Sequence, residues 1–155
     1  MIRKLAFVAA ASFIFIACNN SSEPAAGNPA TDVPKTKEDS LYKDVMEAHD
    51  VSMGSMGKLK GYTNLVKQQL DSIAKLPAKA QETAAGYKAS LDSLLESLQY
   101  ADMAMDKWMS EFVPDSASDN MEQRIPYLES EKMKATKMKE NVLNSIEKAK
   151  EILKQ

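Results

Sequence analysis

The sequence has one cysteine, Cys18, and one histidine, His49. With a single cysteine, neither an intrachain disulfide nor a cysteine-based zinc site can form. With a single histidine, no Cys-X-X-Cys-His and no fourth long helical segment, a four-helix haem site has no ligand set. No Gly-rich phosphate loop or zinc-binding helix motif is present, and the alternation of a half-buried strand is missing. Positive charge is not in excess: 20 Lys and Arg stand against 22 Asp and Glu. Neither nucleic acid nor an anionic lipid surface is therefore an expected partner. No apolar run reaches the roughly 20 residues of a membrane-spanning helix.

The longest apolar run, Leu5 to Ala17, is instead of signal-peptide length. It follows the positive pair Arg3 and Lys4 and gives way to the polar Asn19-Asn20-Ser21-Ser22. At that border Phe15-Ile16-Ala17-Cys18 resembles a bacterial lipobox, in which Cys18 is acylated and becomes the mature N-terminus. The alternative is an ordinary signal peptide cleaved near Ala17 that leaves Cys18 as an idle thiol. Acylation removes a thiol that would be a liability in an oxidising compartment, and several acyl chains hold a protein where one would not. Loss of Arg3 and Lys4 leaves 18 basic residues against 22 acidic, a net charge of −4. Residues 1–17 are thus expected to be a lipoprotein signal peptide. Residues 18–38, with Pro24, Pro29 and Pro34 and no aromatic residue, form an expected flexible tether with a reach of about 25 Å. Residues 39–155 make one small domain.

Across that domain apolar and small residues recur at alternating spacings of four and three. The seam runs through Val45, His49, Ser52, Met56, Leu59, Thr63, Val66, Leu70 and Ile73. It resumes at Ala80, Ala84, Tyr87, Leu91, Leu94, Leu98, Ala101, Met105, Trp108 and Phe112, and again at Ile125, Leu128, Lys132, Ala135, Met138, Val142, Ser145, Ala149 and Ile152. This is the signature of helices with coiled-coil-like packing. Pro77, and Pro114 within the Ser/Asp/Asn-rich stretch 113–120, divide the chain. The segments of about 36, 33 and 30 residues, roughly 45–54 Å each, predict an all-α fold, an antiparallel three-helix bundle. A long helix kinked at Pro77 that dimerises is the alternative; a turn at Pro77 favours a monomer. Asp119 and Glu122 suggest a capping-box start to the last helix, delayed by Pro126 to about Tyr127.

Two features invite a functional reading. Gly54, Gly57 and Gly61 share a helix face opposite the seam, at about 1 kcal/mol each relative to Ala. They form either a partner-binding face or a tolerated weak spot. Methionine is the compositional outlier, with nine of the ten remaining after signal removal. An antiparallel bundle would gather Met46, His49, Met53 and Met56 with Met103, Met105, Trp108 and Met109, and with Met121, at one end. Thioether and imidazole suit Cu(I) or Ag(I). Met46, His49 and Met53 project along one helix face, Met103 lies on the next helix, and Trp108 could cover a soft cation. The competing reading is core packing, with Met56, Met105 and Met109 on core faces. Catalysis finds little support: His49 and Asp50 are neighbours that diverge on a helix. Carboxylates alternate with lysines, as in Glu129-Ser130-Glu131-Lys132 and the pair Glu147/Lys150, in the manner of solvated faces.

Several stretches carry a family resemblance: Val45-Met46-Glu47-Ala48-His49-Asp50 with Met53, Met56, Gly57 and Leu59-Lys60; Ala101-Asp102-Met103-Ala104-Met105 with Trp108-Met109 and Phe112; and Tyr127-Leu128 with Ser145-Ile146. Together with the lipobox they resemble a family of small Gram-negative lipoproteins whose members often bear the label "viral A-type inclusion protein". The resemblance implies lipid anchoring and a helical body; it implies no activity and supplies no catalytic or binding residue. The expectation from the sequence is a non-catalytic, lipid-anchored envelope protein, at the outer membrane facing the periplasm, with no cofactor. Its bundle binds a protein partner or plays a structural part. The alternative is a Cu(I)-binding or chaperone role for the Met/His cluster.

Overall fold

A computed structural model of the chain describes residues 36–154; the signal segment and Cys18 lie outside the described residues. The first helix, α1 (Lys37–Ala74), starts inside the stretch expected to be tether. Its start is fixed by a reciprocal capping box: the Thr36 hydroxyl accepts from the Asp39 N–H at 3.0 Å, and the Asp39 carboxylate accepts from the Thr36 N–H at 3.1 Å. Glu38 and Asp39 place negative charge on the positive end of the helix dipole.

Pro77 ends α1 by pushing Leu76 out of helical geometry. The turn is closed by Gln81, whose side-chain amide donates to the carbonyls of Ala74 at 3.0 Å and Leu76 at 2.8 Å. Two carbonyls that the helix end leaves orphaned are thereby satisfied. Pro77 is thus a turn rather than a kink, since the following segment packs back along α1. That segment is not one helix: α2 (Ala78–Thr83) and α3 (Ala85–Glu111) meet at Ala84. None of α2 is buried, and the junction is held by Ala84, which packs against the core.

The last helix, α4 (Met121–Leu153), starts at Asn120 rather than Asp119. The Asn120 side-chain oxygen accepts from the N–H groups of Glu122 and Gln123 at 3.1 and 3.4 Å. Pro126 lies inside α4 and does not delay it. Its missing N–H removes only the bond to the Glu122 carbonyl, and Glu122 is exposed to water.

Among the described residues α1, α3 and α4 each pack against the other two, giving the all-α three-helix bundle with up-down-up order. Its core holds Val45, Met56, Leu59 and Val66 of α1, Leu91, Leu94, Leu98, Ala101 and Met105 of α3, and Ala135, Met138, Val142 and Ala149 of α4. Serine fits this seam because its hydroxyl is satisfied locally. Ser52, fully buried, donates to the Ala48 carbonyl at 2.7 Å. Ser145 donates across the bundle to the Ser97 carbonyl at 3.1 Å. One seam position, Tyr87, and one residue expected on a core face, Met109, differ from expectation: they are 40% and 46% exposed. Tyr87 follows the break at Ala84, which interrupts the phase of the stripe. Among the described residues no helix is long and apolar enough to cross a membrane.

Candidate functional site

The end of the bundle where α1 and α4 begin and α3 ends is aromatic and unexpectedly polar inside. Trp108 is buried. Its ring stacks on Phe112 at a centroid distance of 4.8 Å and meets the His49 ring, tilted, at 5.7 Å. The indole N–H donates to Glu131 Oε2 at 3.0 Å, and Glu131 Oε1 accepts from the Lys134 ammonium at 2.7 Å. Glu131 is therefore not part of a solvated face: it is 3% exposed. A buried indole N–H needs an acceptor, and this carboxylate is drawn in to supply it. In return, the hydrogen bond to Glu131 holds the Lys134 ammonium above the ordinary lysine range, against the opposing effect of desolvation. Glu147 and Lys150 do form an ion pair, at 2.6 Å, with the exposure expected of a solvated face.

His49 and Asp50 do not diverge as helical neighbours were expected to. The Asp50 carboxylate lies 2.8 Å from His49 Nδ1. Neighbouring Cβ atoms point apart, but on an open surface both side chains can curl back toward each other. With Asp50 73% exposed, the pair is a surface contact.

The expected Met/His cluster is only partly brought together. His49 meets Trp108, and Met46 on the same helix is half-buried. Met53 and Met103 are 45% and 61% exposed. Met103 lines three described grooves, none of which includes Met46, His49 or Met53. Trp108, buried and stacked on Phe112, does not present an open ring face to a cation. Among the described residues no three His, Cys, Asp or Glu side chains form a metal-holding group, so a soft cation here would depend on thioethers. Gly54, Gly57 and Gly61 lie exposed as expected, and a Cβ added at any of them meets nothing within 4 Å. The packing of the bundle gives no reason for glycine there.

An apolar opening lies between α3 and α4, a groove of about 700 Å³. Buried Trp108 and Met138 contribute to its lining, with Ala104 on α3. Exposed Tyr100, Met103 and Met133 contribute the rest of its apolar surface; Met133, at 69%, is the most exposed large hydrophobic residue described. Lys107, Lys134 and Lys137 join this lining, against Glu111 as its one carboxylate. The ion pairs of Lys107 with Glu111 and of Lys137 with Glu140 are long, 3.8 and 3.7 Å, and mostly exposed. Such pairs hold their partners weakly, leaving both ammonium groups free to meet an anionic ligand. This groove went unread in the sequence. Its signal is Met133, an apolar residue off the seam between Lys132 and Lys134.

A second, polar groove between α1 and α3 includes Thr63, Lys67, Asp102 and Asp106. There Asp102 Oδ1 is buried without a hydrogen-bond partner among the described residues. The Lys60 ammonium, 3.9 Å away, supplies charge but no bond.

The chain matches no protein-family model, no curated protein and no solved structure.

Proposed function

We propose that this protein is a lipid-anchored component of the cell envelope, held through Cys18 at the outer membrane and facing the periplasm. In this reading its non-catalytic helical bundle is a protein-binding module, and the α3/α4 groove is where an acidic amphipathic helix of a partner docks. The observation that carries the reading is the combination of adaptable thioethers with a lysine-rich border. Exposed Met103 and Met133 form a deformable apolar surface beside the buried Trp108 and Met138, and methionine-rich surfaces repack around varied helical ligands. Three lysines against one glutamate in the lining, on a chain of negative net charge, select for acidic flanks on the incoming helix. The Cu(I) reading has less support, because Trp108 is covered and Met103 borders different grooves from Met46, His49 and Met53.

The anchor is tested by labelling with a radioactive fatty acid: the protein should take up the label and Cys18→Ser should not, and an unlabelled wild-type protein would contradict the lipid anchor. Docking is tested with that unacylated protein and a fluorescein-labelled amphipathic helix of about 20 residues, with Leu at i, i+3, i+4 and i+7 and Glu on its flanks. Fluorescence anisotropy should show saturable binding. Reversing the two weakly paired lysines in K107E/K137E should weaken it roughly tenfold, about 1.4 kcal/mol. Equal binding by a Lys-flanked version of the helix, or no effect of the reversal, contradicts the charge assignment.

A further inference from the structure

The methionines form a graded series of exposure. Met133 and Met103 stand highest at 69% and 61%, Met121, Met109 and Met53 lie at 48%, 46% and 45%, and Met56, Met138 and Met105 are 9%, 3% and 1% exposed. The two most exposed both line the α3/α4 groove, on opposite helices, and share it with Lys107, Lys134 and Lys137. We infer that Met103 and Met133 are modification sites for a peroxide oxidant, and that their oxidation converts the groove from apolar to polar while the bundle stays folded.

The chemistry follows from access. A thioether lone pair attacks one oxygen of hydrogen peroxide, the S–O bond forms as the O–O bond breaks, and water leaves. Sulfur loses two electrons and the peroxide gains them. The reaction needs the sulfur to be reached, and burial of Met105 and Met138 withholds it. The product is a polar sulfoxide in place of a flexible apolar side chain. At Met103 and Met133 that change falls on groove lining that the core does not use, so the helices lose no packing. The new S=O oxygen is a strong acceptor, and the neighbouring lysines are donors. Desolvating sulfoxides and occupied ammonium groups opposes entry of an apolar helix face. This consequence for binding rests on the proposed docking function; the modification itself does not.

The experiment treats the folded, unacylated Cys18→Ser protein with hydrogen peroxide and follows each methionine by peptide mass mapping, with far-UV circular dichroism on the same samples. Met133 and Met103 should reach half conversion roughly tenfold sooner than Met105 and Met138, with helicity unchanged. Comparable rates at Met105 or Met138, or loss of helicity as Met103 and Met133 convert, would overturn the assignment. The labelled acidic helix then reports the consequence: oxidised protein should bind it about tenfold more weakly. The M103L/M133L variant, whatever its starting affinity, should be unmoved by peroxide. Absence of helix binding before any peroxide is added would refute the docking reading alone, because the mapping stands without it. Unchanged affinity after full conversion at both sites would refute the switch alone.

Discussion

Trp108→Ala should lower the free energy of unfolding by about 4 kcal/mol, read from urea denaturation followed by circular dichroism. Three losses add. The indole leaves a cavity among Phe112, His49 and the core around Met105. The stacking on Phe112 at 4.8 Å disappears, worth about 1 kcal/mol beyond area. Buried Glu131 also loses one of its two donors, keeping only Lys134. Trp108→Phe separates these contributions. It restores much of the apolar volume and leaves Glu131 short of one hydrogen bond, so about 2 kcal/mol of the loss should remain. If phenylalanine restores full stability, the indole–carboxylate bond contributes nothing, and Glu131 must be hydrated in solution.

The second large effect is at Arg124. Arg124→Leu should cost about 3 kcal/mol, with faster amide exchange in the 113–120 connection. The guanidinium is 6% exposed and gathers partners from α1 and from the 113–120 connection. Its Nε donates to Glu38 Oε1 at 2.8 Å, and its Nη1 donates to the carbonyls of Pro114 at 2.6 Å and Ser116 at 2.9 Å. Its plane also lies over Tyr42, 5.9 Å from the ring centre. A leucine of similar bulk fills space but leaves the Glu38 carboxylate and two loop carbonyls without their donor. Arg124→Lys should recover little, because one ammonium cannot reproduce a planar fork that serves three acceptors. Tyr127 limits how far the loop opens: its hydroxyl donates to the Val113 carbonyl at 3.0 Å and accepts from the Val113 N–H at 2.9 Å. An exposed pair such as Lys37 with Glu129 should show under 1 kcal/mol in the same assay.

Arg124 and Glu131 also mark where sequence reasoning stops. Spacing located the seam well, since a residue on the buried stripe of a helix is decided by its neighbours three and four positions away. Leu91, Leu94, Leu98, Ala101 and Met105, and Ala135, Met138 and Val142, are all in the core. Pro77 announced the turn because its effect on Leu76 is local. Arg124, however, is buried by a carboxylate 86 positions earlier, and Glu131 by an indole 23 positions earlier. A charged residue whose partner is set by tertiary packing looks, in the sequence, like any other member of a solvated face. Glu38 reads as tether for the same reason, since its partner Arg124 is distant in the sequence. Met109 went the other way: it keeps the period but sits just beyond the buried stripe that Met105 and Trp108 define, and it is 46% exposed. The α3/α4 groove needed both helices in place, because neither Met103 nor Met133 lies on its own helix's seam.

The proposed docking surface has a direct spectroscopic test, because its methionines carry their own labels. With [methyl-13C]methionine, the unacylated protein reports each thioether methyl while the acidic amphipathic helix is titrated in. The account predicts that Met103, Met133 and Met138 shift together and saturate, while Met53 on α1, which lines none of the described grooves, stays fixed. Shifts centred on Met46 and Met53 with Met103 and Met133 unmoved, or no saturable shift at any methionine, would contradict it.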